Sequence, residues 1–239
     1  IISATCRRRS SSAAFAVAVW ALRAATAPAA AVGFFVCFIL AGRPVVWPEF
    51  GERPVFHPAI AALVALFVLS FAATRYGRAK KEARGLAERR RGRRAASQIM
   101  ANLGVAGLAA AMGSYNGCVA ALAEAAADTV SSEIGQAVGG PAWLITSGRR
   151  VPPGTDGGVS MAGSVAGVLA AAVVVGFGAM HRALWPHGLV VFVAACAGLV
   201  FDSVLGATVE RRGWMGNDWV NFASTLFAAV VAGMRGKVV

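Results

Sequence analysis

Long apolar stretches separated by short polar segments fill the chain from residue 13 to residue 231. Arg23 and Pro28 interrupt the first of these stretches, residues 13–41. At about 1.5 Å per residue, this stretch is too long for one straight helix across a hydrocarbon core of about 30 Å and too short for two. We therefore predict a broken helix, or one span followed by a partial one.

The apolar stretch 95–135 is about twice as long as one membrane span needs. It contains GSYNG at 113–117, in which an Asn-Gly pair flanked by glycine is a strong turn signal. We predict two short helices, roughly 96–112 and 118–134, that form a hairpin. Such a hairpin returns the acidic segment around residues 128–133 to the side of the membrane from which the first helix started.

The other apolar stretches predict spans at about 58–73, 159–180, 187–201 and 219–234. Polar loops are predicted at 42–56, which holds three prolines, at 75–94 and at 136–158. The predicted fold class is all-α, a polytopic transmembrane bundle of about six to eight helices, some of them short or broken. Residues 13–239 are predicted to form a single integral membrane domain, preceded by an N-terminal flank at 1–12.

Composition and charge support a membrane protein. Hydrophobic residues make up 57% of the 239 positions and charged residues only 14%, against about 25% charged residues in soluble domains. The formal net charge is +12, and residues 75–94 hold ten basic and two acidic side chains. A basic block between apolar stretches is what the positive-inside rule produces, so we expect membrane lipids and no nucleic acid as partners.

Several kinds of chemistry find no support in the sequence. The four cysteines are isolated, the three histidines lack metal-ligand spacing, and neither a P-loop nor a GxSxG motif occurs. The start of the chain is rich in Arg and Ser, and residues 1–48 contain no Asp or Glu. This start resembles the end of an organellar transit peptide, and the alternative is a simple cytoplasmic flank of the first helix.

The acidic residues are the informative minority. Seven of the eleven lie between Glu124 and Asp218, within the most apolar part of the chain. Because a carboxylate at mid-bilayer costs about 2.5–3.5 kcal/mol, such residues are functional candidates. Glu124 and Asp128 are four residues apart, as are Thr129 and Glu133, so each pair lies on one helical face.

Acidic and amide side chains recur near the last two predicted spans. Asp202 follows one apolar run, and Asn217, Asp218 and Asn221 precede the last one. Their oxygens are the hard ligands that suit Mg²⁺ bound to phosphates. The segment 146–158 (TSGRRVPPGTDGG) adds arginines and glycines that can approach an anion, which makes a phosphoryl-transfer site plausible. The alternative is an ordinary Gly- and Pro-rich loop.

At these residues the chain resembles the membrane family that contains phytyl-phosphate kinase and animal transmembrane protein 19. The blocks that carry the resemblance are 93–102 (RRAASQIMAN), 127–135 (ADTVSSEIG), 144–160 (LITSGRRVPPGTDGGVS), 201–207 (FDSVLGA) and 217–222 (NDWVNF). The match extends over about residues 60 to 234.

The resemblance implies a Mg²⁺-dependent kinase that uses CTP or another nucleoside triphosphate to convert phytyl phosphate, or a similar prenyl monophosphate, to the diphosphate. In plastids this reaction returns phytol from chlorophyll to tocopherol and phylloquinone synthesis. The implied catalytic and Mg²⁺-binding residues are Asp128, Glu133, Asp202 and Asp218. The implied phosphate- and nucleotide-binding residues are Arg149, Gly154, Thr155, Asp156, Gly157, Gly158 and Ser160. The implied supporting polar residues are Gln98, Asn102, Ser132, Asn217 and Asn221.

Two other classes of function stay open. One is a different lipid enzyme, such as a polyprenol kinase or a cytidylyltransferase, and the other is an ion-coupled transporter, although no inverted repeat is visible. The expected location is a plastid membrane, with a bacterial plasma membrane as the alternative.

Overall fold

Helices dominate the computed structural model, which describes residues 2–22, 25–40, 58–86, 96–180 and 187–234. Within these ranges the helices are α1 (Ile2–Ala21), α2 (Ala27–Leu40), α3 (Pro58–Arg75), α4 (Arg78–Ala83), α5 (Ala96–Ala111), α6 (Tyr115–Val138), α7 (Met161–Gly178), α8 (Gly188–Leu205) and α9 (Asn217–Met234). Eight of these have 14 or more residues, and α4 has six. The predicted all-α bundle is confirmed.

The first apolar stretch is a broken helix, as predicted. Helix α1 ends at Ala21 and α2 begins at Ala27, where Pro28 occupies the first turn, a position that tolerates a missing N–H. The Thr26 hydroxyl oxygen accepts a hydrogen bond from the Ala29 backbone N–H at 3.4 Å. Because α1 already begins at Ile2, residues 2–12 belong to the same helix as the apolar stretch, and the boundary at residue 12 stays a prediction.

The hairpin of α5 and α6 is confirmed, but its turn lies earlier than the sequence indicated. Gly113 adopts the left-handed conformation, with φ of 73°, and α6 already begins at Tyr115. The Asn-Gly pair therefore lies in the first turn of α6, where a Cβ on Gly117 would lie 3.0 Å from the Ala229 carbonyl oxygen. The second helix is not short: its 24 residues extend about 36 Å.

Helix α6 is the centre of the bundle and contacts α3, α5, α7, α8 and α9. Small side chains allow these contacts, because most of the alanines of α6 are completely buried. Gly163 and Gly167 of α7 face α6 so closely that a Cβ on either would lie 2.6 or 2.8 Å from a carbonyl oxygen of α6. The GxxxG pair in α7 is thus a close helix–helix contact.

Two helical segments, Met161–Gly178 and Gly188–Glu210, are long and apolar enough to cross a membrane, and shorter apolar helices accompany them. The second is longer than the predicted span 187–201, because α8 continues to Leu205 and then into a π-helical turn, Gly206–Glu210. The hydroxyl groups of Ser203 and Thr208 donate to carbonyl oxygens of the preceding turn, so these polar side chains are satisfied within the helix. Large apolar side chains such as Leu169 and Leu189 face outward, as in lipid-facing helices.

The two described polar segments are more ordered than predicted. The segment 136–158 begins inside α6 and carries a small antiparallel sheet, in which β1 (Ala142–Leu144) lies between β2 (Arg150–Val151) and β3 (Gly158–Val159). The basic segment contains α4. The predicted loop 42–56 and residues 87–94 of the basic segment lie outside the described residues.

Candidate functional site

One end of the bundle encloses a polar cavity of about 260 Å³. We call this the site end, because it carries the start of α5, α7 and α9 and the end of α3, α6 and α8. The cavity is lined by Leu86, Gln98, Asp128, Thr129, Ser131, Ser132, Glu133, Gly135, Gln136, Gly140, Ala142, Pro153, Gly154, Thr155, Asp156, Gly157, Gly158, Val159, Ser160, Leu199, Asp202, Ser203, Gly206, Glu210, Asn217 and Asn221.

Five carboxyl groups line this cavity, and none of its described lining residues is Lys, Arg or His. Asp128 interacts electrostatically with Asp202 and with Glu210, and Glu210 also interacts with Asp156. Like charges this close repel one another unless a cation or a proton separates them. The cavity is therefore suited to a positively charged occupant, or to an anion that arrives with its own cation.

Glu133 is held by the protein on both carboxylate oxygens. Its Oε1 accepts a hydrogen bond from the Thr74 hydroxyl group at 3.1 Å, and its Oε2 contacts the Lys81 ammonium group. The Lys81 side chain is almost completely buried and also donates to the carbonyl oxygens of Ala73 and Thr74. Glu133 thus joins α6 to α3 and α4 beside the cavity, with its charge already compensated.

Asp202 has a different setting. Its Oδ2 accepts a hydrogen bond from the Ser224 hydroxyl group of α9 at 3.1 Å. One turn earlier on α9, the Asn221 side-chain amide donates to Asn102 Oδ1 of α5 at 3.0 Å, in a buried contact. These two bonds fix α9 against α5 and α8 and set the orientation of the polar groups that face the cavity.

The glycines of the loop between β2 and β3 serve packing. Gly157 has φ of 70°, and a Cβ there would lie 2.3 Å from the backbone nitrogen of Ala207 in the π-helical turn. Gly154 has φ of 84°, and its Cβ would lie 2.7 Å from the Leu86 side chain. Gly157 therefore requires glycine on both conformational and steric grounds, whereas Gly154 requires it on conformational grounds, because the end of the Leu86 side chain can move.

Ser160 caps helix α7. Its hydroxyl oxygen accepts a hydrogen bond from the Gly163 backbone N–H at 3.1 Å, and Ser160 also lines the cavity. A Cβ on Gly135 would lie 2.8 Å from the same hydroxyl oxygen. The close approach of α6 therefore places the start of α7 at the cavity wall.

Most of the residues singled out from the sequence meet in this one cavity. Those that line it are Gln98, Asp128, Ser132, Glu133, Gly154, Thr155, Asp156, Gly157, Gly158, Ser160, Asp202, Asn217 and Asn221. Four do not line it: Asn102 lies behind Asn221, Arg149 is exposed at the sheet, Asp218 is half-buried in the first turn of α9, and Glu124 is buried within α6.

Glu210 is a cavity residue that the sequence reasoning missed. The predicted span 187–201 does not include Glu210. A usable signal was present, because Asp202, Gly206 and Glu210 follow one another at intervals of four residues. That spacing predicts a common helical face, and all three residues line the cavity.

Mg²⁺ is the cofactor that the family resemblance implies. Whether the cavity residues can bind it depends on how many protein carboxylates the ion requires. Across the described ranges, no group of three or more His, Cys, Asp or Glu side chains is arranged to hold a metal by itself. Mg²⁺, however, is usually bound by one or two carboxylates together with water and substrate phosphates. Asp128 and Asp202, which face the same cavity from α6 and α8, fit that mode.

The helical bundle and the carboxylate-lined cavity at its site end define the class of this protein, which is an integral membrane protein with a polar site at one end. The chain belongs to the DUF92 family of integral membrane proteins, whose family model matches residues 10–229. The resemblance found in the sequence is thereby confirmed at the level of the family.

Curated relatives come from plants, cyanobacteria and archaea. An uncharacterized membrane protein of Synechocystis sp. is 32% identical over 79% of this chain and 76% of its own length. Protein VTE6, chloroplastic, of Arabidopsis thaliana is 29% identical over 84% of this chain and 63% of its own length. An uncharacterized membrane protein of Methanocaldococcus jannaschii is 30% identical over 71% of this chain and 72% of its own length. No solved structure matches the chain.

Proposed function

We propose that this protein is a membrane-bound prenyl-phosphate kinase that transfers a phosphoryl group from a nucleoside triphosphate, CTP in the first instance, to phytyl phosphate or a similar monophosphate. The observation that carries the proposal is that Asp128 and Asp202, from two separate motifs, face one cavity with the Gly-rich loop. The similarity to the plant protein VTE6 supports the same class of enzyme.

The position of the cavity supports a lipid substrate. Trp214 and Trp219 are largely exposed at the site end, and exposed tryptophans mark the level of the membrane–water interface. A lipid phosphate lies at this level while its apolar tail stays in the hydrocarbon core. The position of these tryptophans therefore supports a site at which such a phosphate would meet a nucleotide from the aqueous side.

The distribution of basic residues supports an orientation in which the site end faces the side of the membrane that contains nucleotides. The described part of the basic segment lies at the site end, where Lys81 contacts Glu133 and the Arg84 guanidinium group donates to the Gln136 carbonyl oxygen at 3.1 Å. By the positive-inside rule, this end faces the cytoplasm or stroma. Nucleoside triphosphates are present in both compartments.

The proposed chemistry needs positioning and charge compensation more than a covalent intermediate. An oxygen of the prenyl monophosphate attacks the γ-phosphorus, the new oxygen–phosphorus bond forms, and the bond to the β,γ-bridging oxygen breaks to release the nucleoside diphosphate. Asp128 and Asp202 would hold Mg²⁺, which neutralises the phosphate charges. Gln98, Asn217 and Asn221 would supply polar contacts for the reacting groups, and residues 153–158 of the loop line the same cavity.

The direct test uses the purified full chain in detergent or nanodiscs with labelled CTP or ATP, Mg²⁺ and phytyl or farnesyl phosphate. We expect labelled diphosphate product, lost in D128N and D202N and kept in E82Q, whose carboxylate is in an exposed ion pair with Arg78. Phosphorylation of free prenol alone would indicate a polyprenol kinase. Cytidylyl transfer would indicate a cytidylyltransferase, and cation-dependent uptake into liposomes without any transfer would indicate a transporter.

We propose a plastid membrane as the site of this reaction, with a bacterial plasma membrane as the alternative. The Arg- and Ser-rich, acid-free start of the chain and the similarity to a chloroplastic relative support the first. The cyanobacterial relative supports the second. Fractionation of source cells with an antibody to the chain distinguishes them.

A further inference from the structure

Residues 211–216 (RRGWMG), which we call the rim segment, join the π-helical turn to α9 beside the cavity. The residue before the rim segment, Glu210, and the residue after it, Asn217, both line the cavity. The rim segment itself does not line the cavity, and its two arginines and its tryptophan are exposed. The proposed transfer step uses none of these three side chains.

Backbone hydrogen bonds hold the rim segment against the helix that precedes it. The Gly213 N–H donates to the Glu210 carbonyl oxygen at 2.8 Å, and the Trp214 N–H donates to the Val209 carbonyl oxygen at 3.0 Å. Gly213 has φ of 73°, a conformation that glycine adopts without strain. The rim segment is therefore an ordered turn, and its exposed side chains start from fixed backbone positions.

The arginines of the rim segment differ from those of the basic segment in their hydrogen bonding. The guanidinium groups of Arg75, Arg78 and Arg84 each donate to a protein oxygen. Among the described residues, no oxygen accepts a hydrogen bond from the side chain of Arg211 or Arg212, and neither side chain forms an ion pair. Because both side chains are also exposed, their donor groups are available to an anion.

Trp214 sets the position of the Arg212 side chain. The Cζ atom of Arg212 lies 5.1 Å from the centre of the Trp214 ring, which is a cation–π contact. A guanidinium group stacked on a ring keeps its N–H groups in its own plane, where two of them can bind two phosphate oxygens. Trp214 is 71% exposed, and exposed tryptophans lie at the level of the lipid headgroups. Arg212 is therefore held where lipid phosphates lie.

We propose that the rim segment captures the phosphate group of the lipid substrate before it enters the cavity. Arg211 and Arg212 bind the phosphate oxygens, and Trp214 is a positioning residue for Arg212. The capture site would hold a prenyl monophosphate whose tail stays in the membrane. This choice of substrate rests on the proposed function.

The charges of the cavity explain why a capture site is needed. Five carboxyl groups line the cavity, and none of its described lining residues is cationic. Such a wall repels a phosphate that arrives without a cation. Positive charge at the rim offsets this repulsion and raises the concentration of an anionic substrate beside the cavity.

Binding is measured on the purified full chain in phosphatidylcholine nanodiscs, from the rise in unfolding temperature with increasing ligand. Farnesyl phosphate is the lipid probe and CTP is the soluble probe, since both carry phosphate. R211Q and R212Q should each weaken binding of farnesyl phosphate at least about fivefold, the contribution of one arginine to the attraction of an anionic lipid at a membrane surface. Both variants should bind CTP like the wild type.

A matched control separates a specific contact from general surface charge. Lys80 on α4 is exposed at the same end of the bundle, and K80Q removes the same single positive charge. K80Q should bind farnesyl phosphate like the wild type. W214A should weaken binding of farnesyl phosphate as R212Q does, whereas W214F keeps an aromatic ring beside Arg212 and should restore it.

The transfer assay gives an independent readout. R211Q and R212Q should raise KM for farnesyl phosphate and leave kcat and KM for CTP unchanged, because the rim segment binds the substrate without contacting the reacting atoms. A fall in kcat at saturating farnesyl phosphate would contradict a role in capture alone.

Three binding results would overturn the proposal. The first is loss of CTP binding in R211Q or R212Q with farnesyl phosphate binding kept, which would assign the arginines to the nucleotide. The second is an equal loss in K80Q, and the third is unchanged farnesyl phosphate binding in both arginine variants. Wild-type protein that binds farnesyl phosphate through these arginines but transfers no phosphoryl group would contradict the proposed function and leave the capture site supported.

Discussion

The ammonium group of Lys81 on α4 contacts the carboxylate of Glu133 on α6, in a pair that is almost completely buried beside the cavity. Lys81 belongs to the basic segment whose positive charge predicts membrane orientation, yet this residue has a specific partner. The contact also shows that the basic segment and the acidic end of α6 lie at the same end of the bundle, as the predicted hairpin requires.

Removing one member of this pair should be costly. K81M leaves Glu133 with an uncompensated, largely buried charge, and such changes cost about 3–5 kcal/mol. We expect a lower unfolding temperature in detergent for K81M and recovery of most of the loss in K81M/E133Q. Additive losses in the double variant would show that the two side chains do not depend on each other.

Topology provides a second prediction. Ser97 and Ser147 both belong to the site end, while Met112 is exposed at the α5–α6 turn at the opposite end. In a cysteine-free background, S97C and S147C should react with a membrane-impermeant maleimide from the same side, and M112C from the other. Labelling of S97C and S147C from opposite sides would exclude the hairpin.

A matched pair of glycine variants tests the packing of the Gly-rich loop. Gly148 and Gly157 both have left-handed φ angles, of 65° and 70°, but a Cβ on Gly148 meets no atom within 4 Å. We expect G148A to cost only the conformational strain of about 1–2 kcal/mol. G157A adds a clash with Ala207 and should lower the unfolding temperature further and reduce turnover. Equal effects of both variants would contradict this account.

Two glycines of α7 offer a second matched pair. A Cβ on Gly167 would lie 2.8 Å from the Ala127 carbonyl oxygen of α6, whereas Gly176 has open space. G167V should force α6 and α7 apart and reduce the yield of folded protein, measured by size-exclusion chromatography in detergent. G176V should elute like the wild type, and a similar loss in both would show that the contact is not the cause.

The acidic residues can be ranked by how strongly their replacement lowers the kinase activity. We expect D128N and D202N to lower kcat/KM by more than the roughly 10- to 100-fold typical of a residue that only orients a ligand. D218N should have a smaller effect, since Asp218 does not line the cavity. The measurement is diphosphate formation at saturating Mg²⁺. A loss in D218N equal to that in D202N would support the prediction from sequence over the placement in the structure.

Glu210 lines the cavity although it lies beyond the predicted span 187–201. Its spacing from Asp202 predicts one helical face, but the apolar run ends at residue 201, so hydropathy alone gives no reason to continue α8. In the structure the helix continues to Leu205 and then into the π-helical turn, with the hydroxyl groups of Ser203 and Thr208 satisfied by carbonyl oxygens of the same helix. Asn116 and Gly117 show the opposite case. The Asn-Gly pair predicts a turn, but both residues lie in the first turn of α6, where Gly117 packs closely against Ala229 of α9.

The sequence by itself determined the membrane-spanning helices and the set of polar residues that cannot be left in lipid. Backbone groups in a membrane must be satisfied within each helix, and buried charges are costly, so apolar stretches and exceptional acids can be read locally. Only the tertiary structure decided that Asp128 and Asp202 share a cavity while both oxygens of Glu133 are bound by Thr74 and Lys81. These assignments depend on contacts between residues far apart in the chain, and no local pattern encodes such contacts.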